Sequence, residues 1–101
     1  MTLGRWVRDL PSLRDFIAYV IVHAPDNFPV EDVLPAHEQM TLELAFTELQ
    51  HGIGLLRLPA PHAQDLQTLL DTALQHYRRG DDVQGARLVH EFENKVGAAA
   101  R

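Results

Sequence analysis

Six histidines, His23, His37, His51, His62, His76 and His90, are the residues of this 101-residue chain best suited to acid–base or metal chemistry. A histidine exchanges a proton near neutral pH and ligates transition metals. The six stand 14, 14, 11, 14 and 14 positions apart. On a continuous helix His37 and His51 would lie about 21 Å apart, so they cannot share one ion. Glu48-x-x-His51 has the i, i+3 form used by carboxylate-bridged di-iron bundles. Such a centre needs a second Glu-x-x-His and two more glutamates. His62-x-x-Asp65 and His90-Glu91-x-Glu93 do not complete that set. Each histidine therefore reads first as a helix-surface or partly buried side chain.

Nucleophilic chemistry has less to build on. The chain has no cysteine, which removes thiol catalysis, disulfides and thiolate metal sites. Ser12 is the only serine, and Ser12-Leu-Arg-Asp15 has the form of a helix-capping box. Gly52-Ile-Gly54 lacks the third glycine and the preceding strand of a phosphate-binding loop. The expected cofactor set is empty and the expected role is non-enzymatic. A small metal-dependent or acid–base bundle enzyme built on Glu48 and His51 is the third reading.

Charge points elsewhere. The formal net charge is −5, which repels nucleic acid and anionic lipid. Residues 26–56 carry Asp26, Glu31, Asp32, Glu38, Glu43 and Glu48 with no Lys or Arg, a local charge of −6. The remainder of the chain is close to neutral. Such a stretch is either a solvated acidic face or a landing site for a basic partner. The first residues show no apolar signal-peptide core, and the longest uncharged run, Phe16 to Pro25, is too short to cross a bilayer. A cytoplasmic location is expected. The preference for Arg over Lys, with abundant Ala and Leu, suggests a bacterial source.

Hydrophobic residues make up 46% of the chain and charged residues 23%, the balance of a soluble domain with its own core. Residues 1–101 read as one all-α domain, a bundle of about four helices. A short lead, 1–11, ends at Pro11. The first long element starts at Ser12, with Leu13, Phe16, Ile17, Val20 and Ala24 at helical spacing. Its Phe-Ile-Ala-Tyr-Val-Ile-Val run is also rich in β-branched residues, so a strand is the alternative. Pro25, Pro29 and Pro35 mark a long acidic loop over 25–36. The second helix is expected from Ala36 to Gln50 or a turn beyond.

The third helix, 62–79, is set by Leu66, Leu69, Leu70, Ala73, Leu74 and Tyr77. Gly80 follows where a left-handed residue is wanted. Asp81 or Asp82 then caps a fourth helix over 82–97, which makes a C-terminal αα-hairpin. Ala98–Arg101 is expected to fray.

The second helix carries two apolar stripes. Leu42, Ala45, Phe46 and Leu49 form one. Met40, Leu44, His51 and Leu55 lie opposite, with Glu43 and Glu48 between. Either the helix is sandwiched, with the first helix on one side and the hairpin on the other, or the second stripe is exposed. Exposure suits one of two roles. The first is a protein-interaction module that occupies a basic protein partner through Asp26, Phe28, Glu31, Asp32, Met40, Glu43, Leu44 and Glu48. A bacterial immunity protein, an antitoxin or a secretion chaperone would have this size and charge. The second is an obligate homodimer, structural or adaptor in role, packed on Met40, Leu44 and Leu55.

Overall fold

The computed structural model describes residues 4–30 and 32–99. Four α-helices account for most of them: α1 (Leu10–His23), α2 (Leu42–Leu55), α3 (Ala60–Arg78) and α4 (Asp82–Ala99). No strand occurs among the described residues. Each helix packs on the next, and α4 returns to α1. The four thus close a ring, with α1 and α3, and α2 and α4, as diagonals whose backbones stand apart. One core fills it: Leu13, Ile17 and Val20 from α1, Phe46 and Leu49 from α2, Leu70 and Ala73 from α3, and Val89, Phe92 and Val96 from α4.

The β-branched run is helical. Its buried residues Leu13, Phe16, Ile17 and Val20 fall on one stripe, and tertiary packing of that stripe outweighs the strand propensity of the residues between. The cap sits one turn earlier than Ser12. The Asp9 carboxylate accepts from the Ser12 N–H at 2.9 Å, and the Ser12 hydroxyl accepts from the Asp9 N–H at 3.0 Å. Ser12 is the last residue of the capping box, Asp9-Leu-Pro-Ser12, rather than its first. Pro11 is admitted because the first turn of a helix needs no backbone donor. The Ser12 backbone bond, then its side chain, holds the Asp9 carboxyl below the usual aspartate range.

α2 starts later than Ala36. Residues Ala36–Glu38 form a single 3₁₀ turn, and the chain then extends through Gln39 before Thr41 caps α2, its hydroxyl accepting from the Leu44 N–H at 3.1 Å. The Gln39 side-chain amide donates to the Leu34 carbonyl at 2.9 Å and ties the 3₁₀ turn to the segment before it.

The hairpin follows the expected spacing. Gly80 has φ +81, and the Asp81 N–H closes on the His76 carbonyl at 2.8 Å, which ends α3 cleanly. α4 runs to Ala99, so Ala98 and Ala99 are helical; Ala100 and Arg101 lie outside the described residues. At the crossing, Gly85 of α4 leaves room for the Tyr77 ring, whose carbons lie 2.9 Å from where a Cβ would stand. Tyr77 is buried and meets Phe46 edge-on, ring centres 6.0 Å apart.

The Tyr77 hydroxyl has no hydrogen-bond partner among the described residues. An orphaned buried hydroxyl forfeits its water without repayment. Tyr77→Phe is therefore expected to leave stability unchanged or raise it by about 1 kcal/mol at neutral pH. Burial, and secondarily the Asp82 charge, push the Tyr77 phenol up. Because the folded value is raised, the neutral phenol's contribution is complete below the ordinary tyrosine value and fades as pH rises through the folded one. Urea melts of the Phe variant should separate further from wild type in the alkaline range. A variant less stable than wild type at all pH values would contradict this.

Candidate functional site

The lead residues 4–9 lie along α2 and build the first wall of a surface groove. Glu48 holds them there. It is fully buried, and its carboxylate accepts from three backbone N–H groups: Gly4 at 2.9 Å, Trp6 at 3.1 Å and Val7 at 3.2 Å. These donors lie outside any helix, and the carboxylate supplies the acceptors. Gly4 takes φ +83, a conformation side chains disfavour, and a Cβ there would stand 3.1 Å from the His51 Nε2. Val7 is fully buried beside Gly52.

So α2 is sandwiched between α1 and α3, and the lead adds cover over Glu48, His51 and Gly52. Leu44 is only 5% exposed, while Met40, His51 and Leu55 are half-buried. Two expected contact residues, Leu44 and Glu48, are thereby corrected. They are interior groups, and Glu48 is a backbone anchor with no oxygen turned to a partner or metal. The Met40, Leu44 and Leu55 stripe is likewise not an open seam.

The lead anchor places Trp6 at the groove's rim. The Arg5 guanidinium lies 5.3 Å from the Trp6 ring centre, and its Nη1 is 3.1 Å from the Glu38 carboxylate on the 3₁₀ turn. One arginine thus bridges the lead and the 24–41 segment, by a ring face and by an ion pair. α1 supplies the floor with Phe16 and Tyr19, one turn apart, and the edge with Ser12 and Asp15. Leu34 and Met40 close the far side. The groove is open to solvent and has a volume of about 420 Å³.

The aromatic floor continues past the groove. Phe16 stacks on Tyr19 at 5.5 Å, and Tyr19 meets Phe28 at 5.7 Å and His23 at 4.8 Å between ring centres. His23 Nδ1 lies 3.1 Å from the Asn27 carbonyl, which pins the turn after α1. Beyond it, Val22, Val30 and Val33 stand out in solvent, Val33 being 88% exposed. They alternate along the chain with the exposed carboxylates Asp26 and Asp32.

The remaining expected residues distribute as follows. Asp26 and Asp32 are exposed on the segment flanking the groove, Phe28 is half-buried on Tyr19, and Met40 lines the groove. Glu31 lies outside the described residues. Glu43 is exposed but faces α3, 3.7 Å from Arg78 Nη2, a solvent-screened pair of small weight. Trp6, Asp15, Phe16, Tyr19 and Leu34 were not among the expected residues. The signal for the α1 pair was present: a helix apolar nearly all round must cover two faces.

Other clusters offer less. His76 Nδ1 meets Asp81 Oδ2 at 3.1 Å and His90 Nδ1 meets Glu93 Oε1 at 3.7 Å, each pair at a separate place on the hairpin. Among the described residues no three His, Asp or Glu side chains gather as a metal site would require. A second cavity of about 330 Å³ lies where α4 ends against the start of α3; its polar residues His62, Asp65 and Lys95 are all solvent-exposed. Among the described residues, no helix is long and apolar enough to cross a membrane. Comparisons of the chain with protein-family models, with curated proteins and with solved structures find no match.

Proposed function

We propose that this chain is a small acidic, non-enzymatic interaction module that binds and occupies a basic protein partner, using the groove between the lead and α1 together with the 24–41 segment. The observation that carries the reading is the run of exposed residues after α1, Asp26, Val30, Asp32 and Val33, which leads along the chain to Leu34 and Met40 of the groove lining. Carboxylates on the rim speed encounter with a basic surface, and the apolar residues supply the burial that holds it. Among the roles such a module serves, neutralising a toxic protein and chaperoning a secreted one both fit a chain of this size and charge. The partner's own activity chooses between them.

The test is a pull-down from cells that make this chain, with wild-type bait and with the charge-reversed pair Asp26→Lys and Asp32→Lys. Wild-type bait is expected to retain a stoichiometric basic protein at low salt and release it as salt rises. The reversed bait should retain roughly tenfold less, the size of a lost steering contribution. Equal retention by both baits at both salt concentrations contradicts the proposal.

A further inference from the structure

We infer that Arg5 is a clasp: it ties the lead to the 3₁₀ turn, so that the lead and the 34–39 stretch of the acidic segment loosen and tighten together. The clasp belongs to the free chain and does not depend on the partner proposed above.

A continuous run of contacts leads from the interior of α2 to the acidic segment. Glu48, fully buried, accepts from the Gly4, Trp6 and Val7 N–H groups and so fixes the backbone on both sides of Arg5. The Arg5 guanidinium then lies 5.3 Å from the Trp6 ring centre and places Nη1 3.1 Å from Glu38 Oε1. The Glu38 N–H donates to the Pro35 carbonyl at 2.9 Å, which holds the carboxylate on the 3₁₀ turn. The next residue, Gln39, donates through its side-chain amide to the Leu34 carbonyl at 2.9 Å. Leu34 and Met40, on either side of this turn in the chain, line the groove, as does Trp6. Arg5 therefore joins two walls of the groove that are far apart in sequence. The two links differ in strength. Glu48 makes three charge-assisted bonds in the interior, whereas the Arg5 and Glu38 side chains are 41% and 29% exposed, so their pair is weak and screened by salt. The turn can thus come away while the lead stays seated. Coupling is reciprocal, so whatever holds the 34–39 stretch in its closed pose tightens the lead by the same factor.

Amide exchange in the free chain tests the clasp from both ends, read as protection factors so that altered neighbours are corrected for. Arg5→Ala removes an exposed side chain and leaves Glu48 and its three bonds in place. It is expected to lower protection about threefold at the Glu38 and Gln39 amides, the size of one partly exposed ion pair. Glu38→Ala leaves every residue of the lead untouched, and it should lower protection by a similar factor at Trp6 and Val7. The double variant should lose no more at either end than the single variants do, since both substitutions cut one link. High salt should reproduce part of the loss in wild type and add nothing in Arg5→Ala. Leu70 and Val89, fully buried in the hairpin, should keep their protection in all three variants, which separates local opening from global loss of stability.

Loss of protection confined to the substituted end, with the far end unchanged, would overturn the clasp: the lead and the turn would then be held separately. Losses that multiply in the double variant would overturn it as well, because the two side chains would then act on different contacts. So would an equal loss at Leu70 and Val89, which would mean that the whole bundle had loosened. None of these readings involves a partner, so the clasp and the interaction reading stand or fall independently.

Discussion

Glu48→Ala should cost about 4 kcal/mol of folding stability, an expectation set by three stranded backbone donors rather than by a lost surface charge. The wild-type carboxylate accepts from the N–H groups of Gly4, Trp6 and Val7 in an interior position. Alanine would leave all three without an acceptor and a void beneath them. Each buried orphan costs on the order of 1–3 kcal/mol, and breaking such a network in the interior runs to roughly 3–5 kcal/mol. For a domain with total stability of about 5–15 kcal/mol this is a large share. Glu48→Gln should lose about half as much, because the amide oxygen still accepts while the amide nitrogen confronts a donor. Urea unfolding gives the magnitude. The mechanism shows in where the damage falls: amide exchange at Gly4, Trp6 and Val7 should quicken first, and Trp6 emission should move to the red. A loss below 1 kcal/mol would mean that the lead is not held by this residue.

The second large effect is Gly52→Ala, with an internal control two residues away. Both glycines lie in α2, where alanine is favoured by about 1 kcal/mol on helix propensity alone. Gly54 is exposed, with nothing within 4 Å of a built Cβ, so Gly54→Ala should gain that amount. At Gly52 the Cβ would stand 2.5 Å from Leu13 Cδ1 and 3.2 Å from Val7 Cγ1. Leu13 and Val7 are fully buried and cannot turn aside without displacing the core. Overpacking of this kind costs about 1–3 kcal/mol and outweighs the propensity gain. A net loss of about 2 kcal/mol is expected; because Leu13→Ala alone empties part of the core at about 2–5 kcal/mol, the double variant should be less destabilised than the sum of the two single variants. Thermal or urea melts in which both alanines stabilise would show that α1 and the lead do not press on α2 as described.

What could be read from the residues divides along physical lines. The hairpin was legible because its determinants are local. Leucines at 3,1,3,1,3 spacing from Leu66 to Tyr77 specify one face, and Gly80 specifies the stop. α1 was legible as a helix from its period, with a strand as the alternative because propensity disagrees over Phe16–Val22; burial of Leu13, Phe16, Ile17 and Val20 on one stripe bears out the helix. The cap was misplaced by one turn because Pro11 reads as a break unless it is seen in the first turn of a helix. Glu48 was out of reach. Its environment is made by residues 41 to 44 positions earlier in the chain, and a glutamate between two apolar stripes reads as solvated. The groove was half legible. Met40 and Phe28 were picked out by type beside acidic residues, whereas Trp6 and Tyr19 join them only once the lead is folded back over α2.

The most direct test of the groove and acidic segment as the partner-binding face is site-specific photo-crosslinking in cells that make the chain. A benzoylphenylalanine at Val33 stands in solvent on the acidic segment, and one at Val83, also exposed, at the start of α4, serves as the control. The account predicts a covalent adduct with a basic protein from position 33 and none from position 83. An adduct from position 83 alone, or equal yields from both, would contradict it.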